Sequence, residues 1–208
     1  MVRIDPSAVL WSAPERQRSE RPLLLLLHGF GSHEGDLFGF APYLPLSPVL
    51  ASVRAPLPEG PGFAWFPLSG QVTLDELSDS VDAATDALIE WIRSTGASTV
   101  GVLGFSQGGA MGLQLMRSAP DLVEFVVSIA GFVLPGDRPG DRQLRELRPP
   151  VFWGRGTLDS VIPRDAVAYT QSWLPEHSSL DERIYEGLAH AVSEAELRDV
   201  VAFLHEQY

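Results

Sequence analysis

The sequence predicts an α/β protein, a three-layer sandwich in which helices cover both faces of a mostly parallel sheet, with no large cap domain. Three observations carry this expectation. Short apolar runs bounded by Gly, Pro or charge alternate with stretches of helical period, the first run is an unbroken series of leucines, and the order is that of strand-helix-strand crossovers.

Leu23 to Leu27 reads as a buried strand, because a short continuous apolar run stopped by His28-Gly29 has no polar face to turn to water. Val49 to Ala55, Thr99 to Gly104, Phe125 to Ala130, Val151 to Gly154 and Leu180 to Tyr185 supply further strands. Leu77, Val81, Ala84, Leu88 and Ile92 recur at helical spacing with acids between them, and Gly96 ends that helix. Similar helices are predicted from Gln107 to Arg117, Arg164 to Trp173 and Val192 to His205. The Pro-rich segments Pro56 to Pro67 and Pro135 to Pro150 read as loops, the second with room for a short helical turn. Loops at the carboxyl ends of strands are where such folds bind ligands.

Length and composition set outer limits. A chain of 208 residues with 45% apolar and 20% charged residues is expected to form one soluble domain over residues 1–208. Its formal charge of −12 opposes a phosphate backbone, so no nucleic-acid partner is expected. The absence of cysteine removes thiolate nucleophiles, disulfides, Cys-based zinc sites and iron–sulfur ligation. All 15 basic residues are Arg, which removes Schiff-base chemistry, a P-loop Lys and a Ser-Lys dyad. The N-terminus lacks the pattern of a signal peptide, and Leu23 to Leu27 is far too short to span a bilayer. A cytoplasmic protein without stable membrane insertion is therefore expected, and a homodimer is left open.

Gly104-Phe105-Ser106-Gln107-Gly108 matches GxSxG between a predicted strand and a predicted helix. In that setting the motif is a nucleophile elbow: flanking glycines relieve a crowded turn, Ser106 projects above the sheet, and the helix N-terminus offers backbone N–H groups to an anion. The pattern alone is weak, arising by chance about 0.15 times per chain of this Gly and Ser content. Its order with two other residues is stronger. Asp159 follows the Val151 to Gly154 strand and His190 follows the Leu180 to Tyr185 strand, which is the Ser-acid-His order of α/β-hydrolase triads. His28-Gly29-Phe30-Gly31 after the first strand completes the set as an oxyanion turn, with the N–H groups of Phe30 and Gln107 as donors. His28, His33 and Asp36 match no metal-ligand spacing, so neither metal nor cofactor is expected. Trp65 and Phe66 either line a substrate pocket or anchor their loop to the core.

Leu27-His28-Gly29, Ala55-Pro56 with Trp65-Phe66, Gly104-Phe105-Ser106-Gln107-Gly108-Gly109, Asp159 with Val161-Ile162-Pro163, and His190 together resemble the phospholipase/carboxylesterase family, which includes acyl-protein thioesterases. The resemblance runs over nearly the whole chain. It implies cofactor-free hydrolysis of carboxylic esters and thioesters, with a small-molecule acyl ester or thioester as substrate. The chain departs from the family pattern at Ser32, where Asp is frequent, at Arg155, where His is frequent, and at Ala189, where Gly is frequent. Ser106 is thus the expected acyl-enzyme nucleophile, with short to medium acyl chains as substrates. A serine peptidase, a perhydrolase and a slow or non-turning ligand-binding protein are the alternatives on the same fold.

Overall fold

The computed structural model describes residues 2–68 and 73–208. In chain order the strands are β1 (Leu10–Trp11), β2 (Leu23–Leu27), β3 (Val49–Val53), β4 (Leu57–Glu59), β5 (Gly62–Ala64), β6 (Val100–Phe105), β7 (Val123–Ile129), β8 (Pro150–Gly156) and β9 (Ser179–Tyr185). The helices are α1 (Gly35–Phe38), α2 (Leu74–Ser94), α3 (Gln107–Ser118), α4 (Asp141–Leu147), α5 (Arg164–His177) and α6 (Glu194–Gln207). Seven strands form one sheet in the order β1-β3-β2-β6-β7-β8-β9, and β1 alone pairs antiparallel.

The five leucines of β2 show why the central strands are apolar throughout. Successive side chains point to opposite faces, so Leu23, Leu25 and Leu27 enter a core with α2, α3 and α5, while Leu24 and Leu26 enter a second core closed by α6. Each of these leucines is almost fully buried, a gain of about 1.5–3 kcal/mol per side chain before entropy is counted. Helix α2 begins at a capping box in which Thr73 and Glu76 exchange bonds, and its face of Val81, Ala84, Leu88 and Ile92 is buried. The two faces of the sheet are thus both covered, as a parallel sheet requires.

The structure departs from the sequence expectations in three places, one of them the unexpected four-residue helix α1. The Pro56 to Pro67 segment is not a plain loop, because it holds the β4–β5 hairpin, which turns at Gly60 with a φ of +54°. This hairpin is pinned from outside itself: the Phe63 N–H donates to the Ser32 carbonyl at 2.8 Å and the Phe63 carbonyl accepts from the Gly31 N–H at 2.9 Å. Strand β1 adds a two-residue antiparallel edge that no periodicity could announce. Within Pro135 to Pro150 the expected short helical turn is α4.

Helix α4 has an unusual anchor. The fully buried guanidinium of Arg117, near the end of α3, makes a bidentate pair with Asp141 at 2.8 Å through both Nε and Nη2. It also donates to the carbonyls of Leu134 and Gly136 and lies 4.9 Å from the Trp173 ring centroid. A buried charge is tolerable only when its donors are met in this way. Among the described residues no helix is long and apolar enough to cross a membrane.

Candidate active site

Ser106 occupies the turn between β6 and α3 with φ +55° and ψ −116°. A non-glycine residue held there stores about 1–3 kcal/mol of strain, which surrounding contacts must sustain. Those contacts are close. A Cβ on Gly108 would lie 1.9 Å from the Leu27 carbonyl oxygen, and one on Gly104 would lie 2.3 Å from the Gly108 carbonyl oxygen. Both glycines of the motif are therefore required by backbone approach. The Ser106 N–H donates to the Ile129 carbonyl at 2.8 Å, which fastens the elbow to β7.

The three residues expected to act together do meet. The Ser106 hydroxyl is 2.9 Å from His190 Nε2, and His190 Nδ1 is 2.7 Å from Asp159 Oδ2. Consistent roles follow from the network: the hydroxyl donates to Nε2, and Nδ1–H donates to the carboxylate. The second Asp159 oxygen accepts from the N–H groups of Val161 at 2.9 Å and Ile162 at 3.2 Å. These bonds fix the carboxylate toward the imidazole. The Phe105 ring packs against the imidazole at a tilt of 46°, with its centroid 4.9 Å from that of His190.

Phe30 follows β2 in the turn that faces the elbow. Among the described residues neither its N–H nor that of Gln107, the first residue of α3, has a hydrogen-bond partner. Three side chains hold this turn in place, and two of these roles were not legible beforehand. His28 is buried, donates from Nδ1 to the Gly29 carbonyl at 2.8 Å and accepts at Nε2 from the Ala55 N–H at 3.1 Å. Burial lowers its pKa, with the Gly29 carbonyl acting in the opposite sense. Both ring nitrogens are thereby committed to backbone, and none is free for a metal. The Gln107 side chain accepts from the Trp65 N–H at 2.8 Å and donates to the Phe66 carbonyl at 2.7 Å. Its place directly after the nucleophile was the only sequence signal of that role.

Trp65 and Phe66 settle on the second of their two readings. Their side chains are 0% and 1% exposed, so they present no surface to a ligand, and the pocket-lining assignment is corrected. Trp65 Nε1 donates to the His28 carbonyl at 2.9 Å, which makes the indole an anchor for the turn. The reason is that both rings join the core shared by β2, α2 and α3, a demand that local sequence does not reveal. Arg155, Ser32 and Ala189 all lie at or near the carboxyl ends of strands, around the same rim.

Comparisons with known proteins bear on the family of the chain. The profile of the Phospholipase/Carboxylesterase family matches residues 13–207. Acyl-protein thioesterase 1 of Kluyveromyces lactis is 27% identical over 207 residues, covering 88% of this chain and 90% of that protein. The esterase YpfH of Escherichia coli is 34% identical over 121 residues, 52% of this chain and 51% of its own length. Among solved structures, esterase PE8 superposes with a TM-score of 0.76 at 23% identity, covering 99% of both chains. A carboxylesterase from Mesorhizobium loti gives a TM-score of 0.77 at 21% identity over 95% of this chain and 92% of its own. With the family profile spanning almost the entire chain over an α/β-hydrolase sheet, the protein belongs to the phospholipase/carboxylesterase family.

Proposed function

We propose that this carboxylic ester hydrolase works through an acyl-enzyme on Ser106, with esters or thioesters of short to medium acyl chains as substrates. The observation that carries the reading is the continuous relay from Ser106 through His190 to Asp159, with both contacts at or below 2.9 Å. As Ser106 Oγ attacks the acyl carbon, His190 Nε2 takes its proton, and Asp159 stabilises the imidazolium that forms. The tetrahedral oxyanion is held by the N–H groups of Phe30 and Gln107, each such donor contributing about 3 kcal/mol in the transition state. His190 then returns the proton to the departing alcohol or thiol. Water attacks the acyl-enzyme with His190 again as base, and the acid leaves.

The chain-length limit rests on what lies between nucleophile and acid. From Ser106 to Asp159 the chain builds only α3, β7, the seven-residue α4 and β8, so no segment there is large enough for a cap. An open cleft buries only part of a long acyl chain, and each methylene past its floor forgoes about 0.8 kcal/mol of burial. A series of p-nitrophenyl esters from acetate to palmitate, compared by kcat/KM, should rise and then plateau. A steady rise through the longest chains would give the reading over to a lipase or lipid thioesterase. The nucleophile is tested separately: Ser106→Ala should abolish labelling by a fluorophosphonate, and labelling that persists in that variant refutes the acyl-enzyme assignment.

A further inference from the structure

Beside the triad acid lies a cavity of about 190 Å³ whose walls include Ala130, Gly131, Trp153, Arg155, Asp159 and Arg164. It opens between the carboxyl ends of β7 and β8 and the start of α5. Two of its lining residues are arginines in a chain whose overall charge is −12. Arg155 is mostly buried, with 19% of its side chain exposed, and its guanidinium carbon sits 5.3 Å from the Trp153 ring centroid. Among the described residues its one polar contact is a long 3.3 Å bond from Nη2 to Glu182, an oxygen it shares with Gln171. Arg164, at the first position of α5, has no ion pair among the described residues. Helix α5 also starts without a side-chain cap, because Pro163 precedes it.

The nearby acids leave Arg155 donors unmet, and its buried Nε has no partner among the described residues. Both oxygens of Asp159 are already engaged, by His190 on one side and by the Val161 and Ile162 N–H groups on the other. Glu182 bonds Arg155 from β9, through a contact too long to satisfy a guanidinium with five N–H donors. A mostly buried arginine with spare donors, such as Arg155, is a usual recognition element for a carboxylate or phosphate oxygen pair, and Arg164 adds an exposed guanidinium beside it. The cavity is also within reach of the reaction. The Ile129 carbonyl receives the Ser106 N–H, and Ala130 is the next residue. With neighbouring strands about 4.8 Å apart, the cavity lies roughly one to two strand spacings from the nucleophile, a span of a few bonds.

We infer that Arg155 and Arg164 form an anion subsite, and that the preferred substrate is an ester or thioester carrying a carboxylate a few bonds from the scissile carbonyl. This deepens the serine-hydrolase reading and rests on it.

The test compares charged and neutral esters of matched length in wild type and in Arg155→Met and Arg164→Gln variants, with hydrolysis followed by acid release. One pair is monomethyl glutarate against methyl pentanoate, with the charge on the acyl side. The other is γ-acetoxybutyrate against butyl acetate, with the charge on the alcohol side. In wild type at least one pair should favour the charged ester in kcat/KM, chiefly through KM. Arg155→Met should cut that charged-to-neutral ratio about 10- to 100-fold, the value of a charge-assisted bond pair, and Arg164→Gln should cut it less. Fluorophosphonate labelling of Ser106 reports whether each variant retains a folded site. If wild type is labelled and turns over neutral esters with no preference for either charged partner, the subsite is refuted while the hydrolase reading stands. A preference that survives in both labelled variants refutes it equally. If wild type is neither labelled nor active on any of the four esters, the serine-hydrolase reading fails and the subsite falls with it.

Discussion

Replacing Glu196 with Gln should stabilise the protein above neutral pH and leave its stability almost unchanged in acid. Glu196 is the third residue of α6, it is 0% exposed, and among the described residues neither carboxylate oxygen has a hydrogen-bond partner. Its side chain is packed against β8, where a Cβ on Gly154 would lie 2.2 Å from Glu196 Oε1. Burial pushes its pKa from 4.5 up to about 7, and the charge of Asp199 adds to the shift. An acid whose folded pKa is raised holds its proton in the native state after the unfolded chain has released it. Stability is then fully present below pH 4.5 and is lost as pH rises through about 7. At about 1.4 kcal/mol per pKa unit, the full loss is about 3 kcal/mol. Gln keeps the shape of the neutral acid and does not titrate, so it escapes this cost. Ser193 Oγ still accepts the backbone N–H of residue 196, now at 3.1 Å, so the start of α6 is retained. Urea unfolding of both proteins at about pH 5 and about pH 8 measures the difference directly. A stability gain of the same size at both values would show that Glu196 is ionised without penalty, and the burial argument would fail.

Other perturbations test separate parts of the molecule. Arg117→Met should cost about 3–5 kcal/mol, because it strands Asp141 and two carbonyls without their buried donor; a urea-derived loss below about 1 kcal/mol would mean that α4 repacks without it. Asp159→Asn should leave the fold intact and lower kcat by up to about 10⁴-fold, as an amide no longer orients the imidazole or stabilises its cation. A fall of less than about 10-fold in steady-state assays would remove Asp159 from the relay. Activity should be unchanged in EDTA, since backbone donors and not a cation are assigned to the oxyanion. Loss of activity that a divalent metal restores would overturn that assignment.

Much of the fold and the core of the site could be read from the sequence, because the signals are local. Five consecutive leucines stopped by His28-Gly29 read as a strand covered on both faces, and the alternation of such runs with helical periods leaves few topologies open. The GxSxG elbow was legible for a related reason: Gly104 answers a clash with Gly108 inside the motif itself, although Gly108 answers one with Leu27 on the distant β2. Asp159 and His190 were legible through their order after successive strands, although their contact spans 31 residues.

What the sequence left open depends on partners brought from afar. The β4–β5 hairpin is held by bonds from Phe63 to the turn after β2, so its own Pro-rich residues read as a loop. Trp65 and Phe66 had two equal readings until burial decided between them, since an aromatic ring has the same sequence signature whether it lines a pocket or fills a core. His28 became a backbone brace only because Ala55 approaches its ring. The burial of Arg117 and Glu196 was invisible for a deeper reason. A charged side chain is expected at the surface, and whether it can sit inside is set by the donors, acceptors and packing that the rest of the fold supplies around it.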